Sequence, residues 1–274
     1  MKTAIVTLMI GFFIGTGFAE QQAALPTADD IVQRANHMAL YQGMDSKGKV
    51  SMVIKDRQGR VRKRAFNMLR KDDDKNQDQK YYTFFQAPAD VRKMVFMVHK
   101  HAALEKEDDR WLYMPGLDLV KRIAAGDKRT SFVGSDFLYE DISGRSPAED
   151  KHELIDTTET FFVLKNVPKK PDTVEFEYYV AYIDKKTFVP IKMEFFKTGG
   201  RLYRIIESVK LENIPAQENG RHVTYPTVTE SVARDLENGS ETKMVFSDIQ
   251  YNMSLSDKIF TERYLRRPPR HAVR

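Results

Sequence analysis

Two histidines spaced two positions apart are the first residues whose pattern could carry chemistry. His99 and His101 would lie on one face of a strand, a spacing that two ligands of one metal ion can use, and Glu105 or Asp108 could add an oxygen ligand. Solvated histidines at a strand end show the same pattern, and we favour that interpretation. The acidic run Asp72–Asp74 lacks the periodic oxygens and the glycine of a calcium loop. We therefore predict no metal site.

Catalytic motifs are absent from the sequence. The sequence contains no Gly-x-Ser-x-Gly nucleophile elbow, no phosphate loop ending in Gly-Lys-Ser or Gly-Lys-Thr, and no His-Glu-x-x-His zinc motif. Its six histidines do not combine with a nucleophile and an acid into a catalytic set. We predict that the chain is not an enzyme and has no cofactor. A lipid-modifying or hydrolytic enzyme that depends on His99 or His152 is the alternative.

An aromatic pair and a charged pair lie between residues 110 and 140. Trp111 and Tyr113 are two positions apart on one strand face, and each has a large apolar body with a polar tip. They could contact a bound chain or headgroup, or they could be core residues of the sheet, and both interpretations stay open. Arg122 and Asp136 could form an ion pair that fixes the loop Ala124–Thr130, and we favour this structural role over a binding role.

The N-terminus, residues 1–19, has the pattern of a signal peptide. Lys2 precedes a short apolar run from Ala4 to Phe18, and small residues stand at Gly17 and Ala19. The run is shorter than the roughly 20 apolar residues of a membrane-spanning helix. We expect cleavage after Ala19 and export to the periplasm. Because no cysteine follows the run, we expect a mature chain without the lipid anchor of bacterial lipoproteins.

The composition limits the remaining classes of protein. The chain has no cysteine, which excludes disulfides, thiol catalysis and thiolate metal sites. Its formal net charge of +5 is a small excess over many charges of both signs, which is typical of a solvated surface. Export argues against nucleic acid as a partner. A hydrophobic content of 41% is ordinary for a globular protein, and we predict one domain over residues 20–265.

The spacing of apolar residues predicts one helix followed by many strands. Thr27 is a good N-cap, and apolar residues recur at helical spacing from Ala28 to Ala39. From Lys47 the period changes to two, and Asp56–Gly59 makes a turn into a second strand, Arg60–Lys71. So many strands with few helices predict an antiparallel sheet. The other predicted strands are Lys80–Gln86, Val91–His99, Arg110–Met114, Leu117–Ile123, Thr158–Lys165, Val174–Asp184, Pro190–Lys197, Leu202–Leu211, Arg221–Leu236 and Thr242–Asn252.

Several strands carry large apolar side chains on both faces. Tyr178 and Val180 alternate with Tyr179 and Ala181, for example, so one face must pack under helices or line a cavity. A short helix with an apolar face is predicted after Ser254. The basic tail, residues 266–274, is predicted to be flexible.

Three sequence elements together resemble a known family. They are Trp111-x-Tyr113-x-Pro115, then Arg122-Ile123, then Phe132-x-Gly134-Ser135-Asp136. In this order, the elements resemble the LolA-like outer-membrane lipoprotein-sorting proteins, in the branch that accompanies RND/MMPL-type exporters. The resemblance implies a mainly β (α+β) fold in which a strongly curved antiparallel sheet forms an incomplete β-barrel, with its concave face covered by helices. No residue corresponds clearly to the lid-locking arginine of the sorting chaperones, so their gating mechanism is not transferred to this chain.

The resemblance also implies a function. We predict a periplasmic carrier that holds the acyl chains of a lipid or lipoprotein in an apolar cavity and shuttles it from the inner to the outer membrane. The expected partners are these acyl chains, an RND/MMPL-type inner-membrane exporter and, transiently, the membrane, with the carrier acting as a monomer. An adaptor that docks on an exporter and carries nothing is the alternative. The residues predicted to line the cavity are Ile31, Ala35, Met38, Phe84, Phe96, Trp111, Tyr113, Tyr178 and Val180.

Overall fold

Thirteen strands form one antiparallel sheet in the computed structural model, which describes residues 25–73 and 77–273. The predicted signal peptide and its cleavage site after Ala19 lie outside the described residues. Within the described ranges, no helix is both long and apolar enough to cross a membrane.

The elements follow the chain in the order helix, six strands, a short helical loop, seven strands and a helical C-terminus. The helices are Ala28–Leu40 (α1), Tyr139–Ser143 (α2), Arg263–Arg266 (α3) and Arg270–Val273 (α4). The strands are Asp45–Lys55 (β1), Val61–Asp72 (β2), Gln79–Ala87 (β3), Val95–Lys100 (β4), Asp109–Met114 (β5), Leu119–Ile123 (β6), Asp150–Thr157 (β7), Phe161–Pro168 (β8), Tyr178–Asp184 (β9), Pro190–Lys197 (β10), Arg201–Glu218 (β11), Arg221–Asp235 (β12) and Ser240–Tyr251 (β13).

The sheet consists of two meanders joined at their first and last strands. Its order is β6-β5-β4-β3-β2-β1-β13-β12-β11-β10-β9-β8-β7, so the β1–β13 pair lies at the centre and connects the two ends of the chain. Val50 lies opposite Phe246 in this pair. The sheet is curved but does not close, because β6 and β7 remain its two edges. The predicted mainly β fold, an incomplete antiparallel barrel, is therefore confirmed.

The first helix begins as its sequence predicts. The Thr27 hydroxyl accepts a hydrogen bond from the Asp30 backbone N–H at 3.1 Å, and the Asp30 carboxylate accepts one from the Thr27 N–H at 3.2 Å. Ile31 and Ala35 form the buried side of α1. α1 lies over one face of the sheet, which we call the inner face.

Several strand boundaries and one whole strand differ from the sequence prediction. The strands predicted to begin at Val91, Leu117 and Val174 begin at Val95, Leu119 and Tyr178, each after a loop or a short helical turn. β7 was not predicted. Its side chains are mainly charged and exposed because it is an edge strand, and such a strand lacks the apolar alternation that identifies a half-buried one.

The loop after β6 folds back onto the inner face. We call residues 124–143, which include α2, the plug. Phe132 of the plug is fully buried, with ring centroids 5.9 Å from Phe85, 5.5 Å from Phe96 and 5.6 Å from Tyr139. The side chains of the plug thus fill the inner face over β2–β5 with an aromatic core.

The C-terminus covers the opposite, outer face of the same strands. Leu255, Phe260 and Leu265 pack on apolar residues of β2–β5. The prediction of a flexible tail from residue 266 is wrong as far as residue 273, because Ala272 is buried and its carbonyl accepts a hydrogen bond from Asn67 Nδ2 at 2.8 Å. Apolar outer-face side chains on β2–β5 give this segment a surface to bind.

Candidate functional site

An apolar cavity of about 430 Å³ lies between α1 and the inner face of the sheet. Because side chains alternate along a strand, each strand sends every second residue to this face, and β9 contributes Tyr179, Ala181 and Ile183. The volume is in the range of about 300–1,000 Å³ that is typical of pockets for small-molecule ligands. The other apolar lining residues include Val32, Ala35, Met38, Ala39, Leu40, Met68, Phe137, Ile142, Met193, Phe195, Ile206, Met244, Phe246 and Ile249.

Four methionines form part of this wall. Met38 comes from α1, and Met68, Met193 and Met244 come from three different strands. A methionine side chain is unbranched and polarizable, so it adapts to ligands of irregular shape. Met244 is buried and the other three are half-buried. The cavity can therefore accommodate apolar ligands of more than one shape.

A buried charged network closes the side of the cavity next to the plug. One carboxylate oxygen of Glu140 lies 2.8 Å from Lys128 Nζ, and the other lies 2.7 Å from Arg129 Nη1. Arg145 Nη1 is 3.5 Å away. Burial by itself raises the pKa of Glu140, but the attraction of the three cations is stronger and lowers that pKa to about 2. Glu140 is thus a carboxylate at neutral pH.

The cations of this network have further acidic partners. Arg145 Nη2 lies 2.8 Å from Asp150, whose carboxylate also accepts a hydrogen bond from the Tyr179 hydroxyl at 3.1 Å. Arg129 Nη2 lies 2.5 Å from Glu175. Burial raises the pKa of Tyr179, so its phenol is neutral and donates this bond. Because these cations are already paired, a ligand in the cavity meets a polar but internally neutralised wall.

Arg70 fixes the C-terminal end of α1 to the sheet. Its guanidinium donates hydrogen bonds to the carbonyls of Leu40, Gln42 (2.7 Å) and Gly43 (2.5 Å). Gln79 Nε2 donates to the Leu40 carbonyl as well, at 2.8 Å. The last carbonyls of a helix have no partner within the helix, and these side chains supply the partners. The end of α1 is therefore held while its remaining length forms a wall of the cavity.

Comparison with known proteins gives one family match and several structural matches. A family model described as “Uncharacterized protein” matches residues 77–267, more than half of the chain. No curated protein matches the sequence. A DUF1329 family protein from Desulfovibrio piger is 26% identical, with a TM-score of 0.76 over 87% of this chain and 97% of its own.

Two further solved structures share the fold over nearly their whole length. An outer membrane lipoprotein-sorting protein domain from Vibrio parahaemolyticus is 25% identical, with a TM-score of 0.75 over 88% of this chain and 98% of its own. A LolA superfamily protein from Nitrosomonas europaea is 20% identical, with a TM-score of 0.65 over 88% and 100%. The chain belongs to the family of the matching model and shares the LolA-like fold. The predicted family resemblance is confirmed.

Only some of the residues predicted to line the cavity of this LolA-like chain do so. Ala35 and Met38 line it. Ile31 is fully buried on the side of α1 that faces the sheet, where it packs among apolar residues of β8 and β9. Phe96 points to the inner face but packs against Phe132 and Tyr139 of the plug, in the region without a cavity.

The other five predicted lining residues lie on the outer face, so for them the prediction is wrong. Phe84 and Tyr113 belong to the cluster beneath the C-terminal segment, and Trp111 packs against that cluster. Tyr178 and Val180 alternate with the three residues by which β9 lines the cavity. For Trp111 and Tyr113, the structure therefore favours the core interpretation over contact with a ligand. The sequence could not assign the faces because these strands are apolar on both.

The predicted ion pair between Arg122 and Asp136 is also wrong. Arg122 lies opposite Trp111 in the β5–β6 pair and forms an ion pair with Asp109. Asp136 lies on the inner side of the sheet, where its carboxylate accepts hydrogen bonds from Ser240 and from Thr242, the latter at 2.6 Å. Asp136 therefore connects the plug to β13 and not to Arg122.

Both histidines of the candidate metal motif have other partners. His99 Nε2 lies 2.8 Å from the Phe260 carbonyl, and His101 Nδ1 lies 2.9 Å from Asp78. They are half-buried, so the expectation of solvated side chains is wrong. Burial lowers the pKa of His99, which favours the neutral ring. Among the described residues no group of three or more histidine and acidic side chains is placed to hold a metal ion.

Sequence reasoning missed several residues that shape the cavity, including Arg70, Glu140 and Met193. Arg70 did carry a signal. It occupies the same phase of β2 as the inner-face residues Phe66 and Met68, where a charged side chain needs an internal partner. Glu140 carried no such signal, because its cationic partners come from the plug and from residues that follow α2.

Proposed function

We propose that this LolA-like chain is a periplasmic carrier that binds the acyl chain of a lipid or lipoprotein in the cavity beneath α1. The observation that supports the proposal is the chemistry of the cavity: its wall is apolar and rich in methionine, and its cations Arg129 and Arg145 are paired within the protein. An acyl chain needs an apolar enclosure and no charged partner.

The energetics of burial favour such a ligand. Each methylene group transferred from water into an apolar site contributes about 0.8 kcal/mol. A chain of about 14 to 16 carbons thus offers on the order of 10 kcal/mol before the cost of ordering it, without any specific polar contact. This explains why a carrier can bind tightly through residues that form no sequence motif.

Mass spectrometry of an organic extract of the purified protein, together with displacement of a fluorescent fatty acid, tests the proposal. Ala39→Trp should fill the cavity from α1 and weaken binding of the fluorescent fatty acid by about tenfold or more, because the ligand loses apolar contacts of about 1.4 kcal/mol or more. Gln33→Trp places the same side chain on a position of the same helix that does not line the cavity, and it is the matched control. Folded wild-type protein that neither contains nor binds lipid would rule the carrier out.

We also propose that the carrier works as a monomer and receives its cargo from an RND/MMPL-type exporter in the inner membrane, for delivery towards the outer membrane. The motif order from Trp111 to Asp136 supports the exporter partnership. Co-purification of tagged protein with membrane proteins tests the partner, and light scattering tests the oligomeric state. If the protein is an adaptor without cargo, the Ala39→Trp variant should bind the exporter as well as the wild type does. If the protein is a carrier, the same variant should fail to transfer lipid to acceptor vesicles.

A further inference from the structure

One end of the sheet combines a strong positive charge with exposed apolar side chains. In the antiparallel meander β1–β6, the loops β1–β2, β3–β4 and β5–β6 must lie at the same end of the strands. These three loops are residues 56–60, 88–94 and 115–118. We call this end of β1–β6, with the neighbouring part of the C-terminal segment, the basic end.

The charge of the basic end is large for its size. The C-terminal segment reaches this end through Arg266, whose Nε lies 3.0 Å from Asp118. The basic end has eight exposed basic side chains and three acidic ones. Its local net charge is therefore +5, which equals the formal net charge of the whole chain. The basic residues are Arg57, Arg60, Arg62, Lys63, Arg92, Lys93, Arg266 and Arg267, and the acidic residues are Asp56, Asp90 and Asp118.

All three acids are paired within the protein, but several cations are not. Asp56 pairs with Arg60, and Asp90 pairs with the buried Arg64. Within the described part of the chain, six of the eight exposed cations form no ion pair. These are Arg57, Arg62, Lys63, Arg92, Lys93 and Arg267, of which Arg62 donates a hydrogen bond to the Gly134 carbonyl.

Acidic side chains further along the same rim are also paired. Glu237 lies 2.6 Å from Lys197 and forms an ion pair with Arg201, and Glu241 lies 2.7 Å from Arg234. The excess positive charge at the basic end is therefore free to act on a partner.

Large apolar side chains are exposed among these charges. Leu117, at the tip of the β5–β6 hairpin, is 73% exposed, and Val61, at the start of β2, is 53% exposed. Leu119 is also exposed. An isolated exposed leucine needs no explanation, but a leucine at a hairpin tip beside unpaired cations matches the two layers of a lipid surface, anionic headgroups above hydrocarbon.

We propose that the basic end is the surface by which this protein docks on an anionic lipid membrane. The unpaired cations bind lipid phosphates, and Leu117 enters the headgroup layer. The proposal is independent of the acyl-chain cavity, because the surface is formed by the loops of β1–β6 and the cavity by α1 and the inner face.

Co-sedimentation with vesicles tests the proposal on the full mature chain. We expect binding to vesicles of equal parts phosphatidylglycerol and phosphatidylcholine, little binding to phosphatidylcholine alone, and loss of binding at high salt. In the triple variant Arg57→Gln, Arg92→Gln and Lys93→Gln, the partition coefficient should fall on the order of a hundredfold, because each basic residue near an anionic surface contributes about fivefold. Leu117→Ser should weaken binding by a smaller factor.

The matched control removes three exposed charges from the opposite end of the strands. It is Lys186→Gln, Arg221→Gln and Lys258→Gln, which lie in or beside turns at that end or in the C-terminal segment near the start of β3. The control should bind like the wild type, and circular dichroism should show that both triple variants are folded. Equal losses in the two triple variants would show that only the net charge matters, and absence of wild-type binding to the anionic vesicles would also overturn the proposal.

Discussion

The inner face of the sheet has two halves with the same strand chemistry and different contents. Over β2–β5, Phe132 of the plug packs against Phe66, Phe85 and Phe96 and forms an aromatic core. Over β8–β13, the sheet, α1 and plug residues such as Phe137 and Ile142 surround the cavity instead. We call these the filled half and the cavity half. The comparison shows that a curved sheet encloses a cavity only where no loop fills it.

The comparison also shows that the family motif and the candidate binding site are different parts of the molecule. The family motif Phe132-x-Gly134-Ser135-Asp136 belongs to the filled half, where each element has a structural partner. Gly134 has a φ of +77°, a conformation that favours glycine, and its carbonyl accepts a hydrogen bond from Arg62 Nη2 at 2.9 Å. Most residues that would contact a ligand lie in the cavity half, and these residues belong to no motif.

The largest effect should come from emptying the filled half. Phe132→Ala removes a fully buried ring at the centre of the aromatic core, and we expect a loss of about 3–5 kcal/mol in the free energy of unfolding, measured by urea denaturation. Leu104→Ala, at an exposed position, should change it by less than about 0.5 kcal/mol. A small effect of Phe132→Ala would mean that the plug does not support the sheet.

The border between the halves should be sensitive to acid. The pKa of Glu140 in the folded protein, about 2, is below its ordinary value of 4.5. The ionised carboxylate therefore contributes fully to the free energy of unfolding above pH 4.5, and this contribution is lost as the pH falls towards 2. The difference corresponds to about 3 kcal/mol. Glu140→Gln should therefore lower stability at pH 7 and flatten the dependence of the unfolding free energy on pH between 5 and 2. An unchanged slope would contradict this role.

Polarity introduced into the cavity half should affect binding more than stability. Met193→Gln keeps the approximate size of a half-buried wall residue and adds an amide that must be desolvated when a chain binds. We expect fatty-acid affinity to fall about tenfold, that is by about 1.4 kcal/mol. Met193→Leu is the matched control and should bind within about threefold of the wild type, since this exchange conserves volume. Equal affinities for the Gln and Leu variants would place the ligand elsewhere.

The smallest effect should come from removing the surface ion pair between Arg122 and Asp109, which the structure shows instead of the predicted pair between Arg122 and Asp136. Arg122→Ala should cost at most about 1 kcal/mol, because its pair with Asp109 is exposed. A double-mutant cycle of Arg122 with Asp136 should give a coupling energy near zero, whereas Asp136→Ala alone should cost about 1–3 kcal/mol by leaving hydroxyl groups unpaired. Substantial coupling would mean that the two side chains meet in solution.

The order of elements was predictable because it depends on local periodicity. The capped helix after Thr27 and most strands have the positions that the apolar spacing indicates. The antiparallel arrangement followed from the number of strands joined by short turns. The missed edge strand β7 shows the limit of this reasoning, because a strand with few buried side chains has no apolar period to detect.

The cavity residues were predictable only where one face of an element is apolar. α1 has such a face, and two of its predicted residues, Ala35 and Met38, line the cavity. The strands do not, because their outer faces are also covered or packed. On the outer face, Phe84 and Tyr113 pack against the C-terminal segment, which lies more than 140 residues further along the chain. This distant contact explains why aromatic side chains occupy these positions.

By itself, the sequence determined the secondary structure, the antiparallel sheet and the family, since these follow from side-chain periodicity and from motifs read within short segments. The tertiary structure decided which face of each strand lines the cavity, where the plug lies and which charges pair. These depend on the side on which the plug, α1 and the C-terminal segment dock, and packing across the whole chain sets that choice.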